Sequence, residues 1–280
     1  MIMSTKYVYS FKEGNGSDKK LLGGKGANLC EMTQIGLNVP PGFVISTQAC
    51  LEYLDHENKE LPEGVMQEVR DQMQQLEQAA GKQFGGGSSP LLVSVRSGSA
   101  LSMPGMMDTI LNLGLNEQTL QGVIEATDDQ RFGYDSYRRF IQLFGKVALG
   151  IADEIFDAEF FEIKKKANVT EDIGLSAGNL KEISERFLAV VERETGKPFS
   201  QDPYEQLEIA VKAVFNSWMG KRAVDYRREF SITPDMANGT AVNVVTMVFG
   251  NRGDDCATGV GFTRNPGTGE NHLYGEYLVN

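Results

Sequence analysis

Between Asn116 and Trp218 apolar residues recur at helical spacing, clearest at Tyr137, Phe140, Ile141, Phe144, Val147, Ala148 and Ile151, and again at Leu180, Ile183, Phe187, Val190 and Val191. On either side the period is that of strands. LLVSVR and DTILNL come before the block, and AVNVVTMVF, TGVGFT and HLYGEYL come after it. A long helical stretch set between strand-patterned regions fits neither a pure bundle nor a sandwich, and predicts an α+β chain. We read three regions: 1–115, β-containing; 116–235, a mainly helical insert; and 236–280, the start of a second β-containing lobe. The chain stops at Asn280 directly after a strand pattern, without cap or tail, which predicts a fragment whose last sheet lacks strands.

Within the first region, a strand is expected at Tyr7 to Phe11 and a short helix at Gly26 to Ile35, stopped by Gly36 with Pro40 and Pro41 beyond. Val65, Val69, Met73, Leu76 and Ala80 predict an amphipathic helix between Pro62 and Gly81. GGGSSP, from Gly85 to Pro90, reads as a flexible connection. SGSALSMPGMM reads as a mobile loop joining LLVSVR and DTILNL into a hairpin. Further on, Asp202, Pro203 and Glu205 form the pattern of a capping box opening the helix that carries Trp218. The three final strand patterns are expected to pair consecutively as antiparallel neighbours, joined by FGNRGDD and RNPGTGEN.

The balance of 38 acidic against 27 basic residues would repel a phosphate backbone, which excludes nucleic acid as a partner. It does not exclude a nucleotide, whose phosphates need only a few local cations and N–H groups. The three cysteines, Cys30, Cys50 and Cys256, form no CxxC pair or metal-ligand cluster and read as inert thiols of a reducing compartment. The start MIMSTKYVYSF lacks the apolar core of a signal peptide, and no later run approaches the ~20 apolar residues of a membrane span. A cytoplasmic location with no membrane partner is the expectation.

GGKG, from Gly23 to Gly26, sets a lysine in a backbone able to approach a ligand closely, at the mouth of a helix whose free N–H groups favour an anion. It is not a Walker A motif, because Gly26 stands where a P-loop requires Ser or Thr. Arg96 ends a strand and enters the Ser97–Gly98 turn, where a guanidinium could grip phosphate oxygens bidentately. Read alone, each has a plainer reading: Lys25 in a solvent-exposed helix start, and Arg96 solvated or paired with a surface carboxylate.

Five strings alter that balance. LLGGKGANL, LLVSVRSGSALSMPGMMDTILNLGL, YDSYRRFIQLFG, AVNVVTMVFGN and GVGFTRNPGTGE resemble, in order and spacing, the pyruvate, phosphate dikinase family, over Lys6 to Asn280. Phosphoenolpyruvate synthase and the rifampin phosphotransferases share the arrangement but differ after VRS, and SMPGMMDT favours the dikinases. The resemblance implies an ATP-grasp-like fold of two β-containing lobes with a helical insert, in which a glycine-rich hairpin loop closes over the phosphates of ATP. It implies that Lys25, Arg96, Ser97 and Gly98 bind phosphates. Gly105 and Thr109 would line the nucleotide from the returning strand, and Met247 and Val248 would sit beside adenine. Where relatives have glutamine two positions before that methionine, this chain has Val245.

The family reaction converts ATP, inorganic phosphate and pyruvate to AMP, diphosphate and phosphoenolpyruvate through a phosphorylated histidine. The resemblance therefore implies as partners a phosphohistidine carrier domain and a pyruvate-binding domain in the full-length enzyme. It also implies Mg²⁺ ligands beyond Asn280, and a homodimer only through regions outside this chain. Neither His56 nor His272 lies in a carrier motif; both read as structural or solvated. Arg138 and Arg139 read as helix-surface ion pairs, Arg222 and Glu276 as candidates for docking the carrier domain, and RGD at Arg252 as a chance tripeptide. The other readings are a phosphoenolpyruvate synthase-type enzyme and a stand-alone nucleotide-binding module without turnover.

Overall fold

A computed structural model describes residues 5–280. The part of the start read as lacking a leader that falls on residues 1–4 lies outside the described residues. The elements run β1 (Val8–Ser10), α1 (Lys19–Gln34), β2 (Gly42–Ile45), α2 (Thr47–Asp55), α3 (Val65–Ala80), β3 (Gln83–Phe84), β4 (Pro90–Leu91), β5 (Val93–Gly98) and β6 (Thr109–Leu113). They continue with α4 (Glu117–Thr127), α5 (Gln130–Ala148), α6 (Asp153–Lys166), α7 (Ala177–Thr195), α8 (Pro203–Ser217), α9 (Lys221–Glu229), β7 (Ala241–Thr246), β8 (Ala257–Phe262) and β9 (Tyr274–Val279). The α+β class is observed. By compactness the described residues form two units that divide between Met247 and Val248.

The first unit is organised by a five-stranded sheet in the order β1-β2-β7-β5-β6, with each neighbouring pair antiparallel. The expected hairpin is present: β5 pairs β6 with Arg96 opposite Thr109, and a bulge separates Val93 from Val95. Of the three final strand patterns only the last two pair consecutively, as β8 with β9. β7 enters the first sheet between β2 and β5, aligning Asn243 with both Val44 and Arg96. Its run AVNVVT is apolar on both faces because a central strand is covered on both sides, and alternation alone could not say which strands it would join.

One side of the sheet carries α1. Phe11, Leu22, Ala27, Cys30, Val44 and Ala241 form a buried cluster there. Alternate residues Val93, Val95, Val242 and Val244 are also fully buried, and α8 packs along β5, β6 and β7. The helical region builds its own core, where Phe140, Phe144 and Phe199 meet edge to face with centroids 5.5 to 5.6 Å apart.

Two helix starts differ from expectation. α1 begins at Lys19, where Asp18 accepts from the Leu21 N–H at 3.0 Å, and not at Gly26. The glycines that suggested a turn form a break inside the helix. At α8, Asp202 caps Tyr204 and Glu205 with Pro203 in the first turn, but the Glu205 carboxylate bonds the Ser200 hydroxyl, so the reciprocal half of the capping box is missing. α3 runs as expected, between left-handed Gly64 and Gly81.

In the second unit β8 and β9 form an antiparallel hairpin from the Ala257–Val279 pair to the Phe262–Tyr274 pair. Its turn is held by Asn265, whose side-chain oxygen accepts from Gly267 at 2.8 Å and whose N–H donates to Glu270 at 3.0 Å. No described helix is long and apolar enough to cross a membrane.

Candidate functional site

The GGKG segment and the end of β5 meet backbone to backbone. Gly23 adopts φ 68°, ψ 161°, breaking α1, and a Cβ there would lie 1.9 Å from the Gly98 carbonyl oxygen. Only glycine combines that backbone conformation with such an approach. The restarted helix is tied down at once, because the Gly24 N–H donates to the Ser99 carbonyl at 2.8 Å. That N–H is thus committed to the residue that follows β5 and is not one of the free anion-facing groups expected from the motif.

Lys25 follows the break, and its ammonium donates to the Ser97 carbonyl at 3.2 Å. Loss of surrounding water lowers its pKa from the ordinary lysine value, and the nearby positive charge of Arg96 lowers it further. Lys25 thus lies within electrostatic reach of a second cation, and neither has a carboxylate partner among the described residues. Such a pair is stabilised when an anion arrives. The Arg96 side chain is exposed and lies along its own strand, its Nε donating to the Ser94 hydroxyl at 3.1 Å.

A cavity of about 600 Å³ opens in front of this junction. Of the expected site residues, Lys25, Ser97, Gly98, Gly105 and Thr109 line it. Arg96 does not; it stands one residue before the lining pair Ser97–Gly98, opposite Thr109. Met247 and Val248 are not among the lining residues either. The Met247 N–H donates to Leu92 at 2.9 Å, extending the β5–β7 ladder away from the junction, and Val248 is exposed.

Other residues of the site were not singled out from sequence. Lys19 and Asn28 line the same cavity from α1. Asn28 stands three residues after Lys25, a spacing that shares a helix face and would have exposed the pair had the helix been extended across the glycines. Asn243, fully buried on β7, offered no signal beyond being a polar residue in an apolar strand.

The loop after Gly98, expected to be mobile, is anchored. Met103 is buried with Trp218 and Ala237, with Leu101, Met106 and Met107 packed around them. Arg222 of α9 reaches across to the same loop, donating to the Gly105 carbonyl at 3.2 Å and pairing with Asp108 at 2.7 Å. Arg227 stacks on Trp218 with its guanidinium carbon 3.8 Å from the ring centroid, completing the support. Met103 and Met107 both line the cavity, and Met103 is in addition buried in the cluster that anchors the loop.

The remaining candidates lie elsewhere. Arg138 is buried, pairs with Asp135 at 2.7 Å and Asp172 at 3.4 Å, and stacks on Phe160; Arg139 pairs with Asp135 at 2.8 Å. His56 ends α2, and His272 lies 3.8 Å from Glu270 on the surface of the second unit. Cys30 and Cys50 are buried and unreactive, with burial pushing their thiols up to about 11 and about 12. The cavity offers ammonium groups, hydroxyls of Ser97, Ser99, Ser102 and Thr109, and glycine backbone, but no lining carboxylate. That donor set suits phosphate and does not fit a protein-held Mg²⁺.

Comparison with known proteins follows the same segments. The family model described as "Pyruvate phosphate dikinase, AMP/ATP-binding domain" matches residues 19–59 and 56–279. The chain is 59% identical over 273 residues to pyruvate, phosphate dikinase of Entamoeba histolytica, covering 98% of this chain and 31% of the relative. It is 50% identical over 276 residues to the enzyme of Clostridium symbiosum, with the same shares covered. It is 50% identical over 282 residues to the chloroplastic pyruvate, phosphate dikinase 1 of Arabidopsis thaliana, covering 99% of this chain and 29% of the relative. The chain spans about 30% of the length of these relatives.

Proposed function

Because the chain belongs to the pyruvate phosphate dikinase AMP/ATP-binding domain family, we propose that it is the part of a dikinase that holds ATP for phosphorylation of a carrier histidine. In the full-length enzyme that step belongs to the conversion of ATP, phosphate and pyruvate to AMP, diphosphate and phosphoenolpyruvate. The carrier and pyruvate-binding domains are then its partners, in the cytoplasm. The observation that carries the reading is the junction of GGKG with the end of β5, which puts Lys25 beside the lining residues Ser97 and Gly98 with a second cation, Arg96, within electrostatic reach.

In this reading the first ATP-grasp lobe is residues 1–115 together with β7, residues 116–235 are the helical insert, and the β8–β9 hairpin begins the second lobe. Lys25 and Arg96 orient the phosphates and neutralise charge as it moves onto the leaving oxygen. Ser97, Gly98, Gly105 and Thr109 shape the wall against which the phosphates lie. Met247 and Val248 contact adenine. Met247 stands four positions from Asn243, just past the end of β7, roughly 13 Å at strand spacing, a span that suits a nucleotide laid along the strand. Magnesium supplies further charge neutralisation when bound with ATP, and its protein ligands belong outside this cavity.

The size of the cavity is within the range of small-molecule sites, about 300–1,000 Å³. The deciding experiment is single-turnover phosphorylation of the full-length protein by ATP, comparing wild type with Lys25→Ala and Arg96→Ala. Each variant is expected to lose ~10²-fold or more in rate. Wild-type rates in Arg96→Ala would remove that residue from the site.

A further inference from the structure

Asn243 occupies the point where the two motifs are held together. Its side chain is fully buried in the central strand β7, whose other residues up to Val245 are apolar, between Val44 of β2 and Arg96 of β5. A Cβ at Gly98 would lie 2.7 Å from its Nδ2, and a Cβ at Gly26 would lie 2.9 Å from its Oδ1. The amide therefore spans the space between the peptide after Lys25 and the strand end that follows Arg96. Its Nδ2 donates to the Arg96 carbonyl at 3.4 Å, while its Oδ1 is buried without a hydrogen-bond partner among the described residues.

An unpaired buried carbonyl oxygen lowers stability, so core packing alone would favour an apolar residue of the same shape. A buried polar side chain retained at such a cost points to a task other than filling space. We propose that Asn243 is a positioning residue, acting through the backbone of Gly26, Arg96 and Gly98 to fix the separation of Lys25 and Arg96 so that both meet the same phosphate chain. The inference rests on reading those two residues as the phosphate end of an ATP site. It accounts for Gly98, where a side chain would displace the amide, and it adds to the case for Gly26, where a Cβ would meet Val44 as closely as the amide.

The test uses the full-length protein and two variants. Asn243→Leu keeps the branched shape but removes both polar atoms; Asn243→Ala cannot overpack and serves if the leucine does not fold. Thermal midpoint, ATP affinity, and the kcat and KM of ATP-dependent self-phosphorylation are measured well below the midpoint. Asn243→Leu is expected to match or exceed the wild-type midpoint yet lose ~10 to 100-fold in kcat, the scale of a small misplacement of reacting groups, with the KM values for the other substrates unchanged. A folded variant with wild-type kcat and ATP affinity would overturn the proposal, as would a loss of rate seen only in step with loss of folded protein. Failure of the wild type itself to bind ATP would overturn the site reading beneath it, a result distinct from either.

Discussion

Replacing Gly23 by alanine tests the junction on which the site depends. At φ 68°, ψ 161° the residue lies in a region that alanine enters only at a cost of ~1–3 kcal/mol. The added methyl would sit 1.9 Å from the Gly98 carbonyl oxygen and 2.6 Å from its carbon. Backbone cannot yield as a flexible side chain can, so the two segments must part, at ~1–3 kcal/mol for overpacking. Parting them weakens the 2.8 Å bond from Gly24 to Ser99, worth another ~0.5–1.5 kcal/mol. The contributions overlap, and a total of roughly 3–5 kcal/mol corresponds to a fall in thermal midpoint of ~10 °C for a unit of this size. Gly36→Ala is the control: its φ is 87°, but a Cβ there meets nothing within 4 Å, so only the conformational cost of ~1–2 kcal/mol remains. Differential scanning calorimetry of both variants separates strain from collision. Equal midpoints for Gly23→Ala and Gly36→Ala would refute the close backbone approach.

Lys25→Met should leave the thermal midpoint unchanged or slightly raised, since a partly desolvated ammonium is removed, while weakening ATP by ~10 to 100-fold, as for a lost charge-assisted hydrogen bond; scanning calorimetry reads the midpoint and isothermal titration calorimetry the affinity. Arg222→Ala should cost at most ~1 kcal/mol, because the Asp108 pair is largely exposed, yet should raise protease cleavage within residues 99–107, and an unchanged digestion pattern would argue against anchoring by Arg222. Alkaline pH should destabilise the fold. Cys30 and Cys50 are pushed up to about 11 and about 12, and Tyr7 and Tyr137 both to about 12, so the folded state keeps protons that the unfolded chain releases from ~8.5 for thiols and ~10 for phenols. Their contribution is complete below those unfolded values and is lost as pH rises toward the folded ones. Urea midpoints should therefore fall steadily above about pH 9, and Cys50→Ala should flatten the slope. Under native conditions a thiol reagent at neutral pH should label Cys256 ahead of both buried cysteines, which mass spectrometry can assign.

Periodicity revealed most elements because it reports burial directly: α3, α5, α7 and the β5–β6 hairpin follow from which residues face water, whereas β8 and β9, exposed throughout, were legible from strand-type residues and the turns between them. It misled where glycine carried two meanings. GGKG has the composition of a turn before a helix, and the chain uses it as a break within one, since only the approach of Gly98 explains why Gly23 leaves helical geometry. Strand pairing was the second gap. AVNVVT announces a buried strand, but its neighbours β2 and β5 are distant in sequence, and no local pattern records them.

The candidate site divides along the same line. Lys25 and Arg96 were legible as cations in backbone contexts that tolerate close approach, and the five motif strings placed them in a family. That Lys25 lines the cavity while Arg96 stands one residue before the lining pair Ser97–Gly98 is a tertiary fact. It depends on β7 entering the sheet beside β5, on the Gly23–Gly98 contact, and on the amide of Asn243 between Gly26 and Gly98. Arg222, considered for docking another domain, holds the loop that walls the cavity. Residue type and spacing determine which groups can bind an anion, because charge and backbone freedom are local properties. Which of them face one cavity is decided only by long-range packing, because it brings together segments that a linear pattern keeps apart.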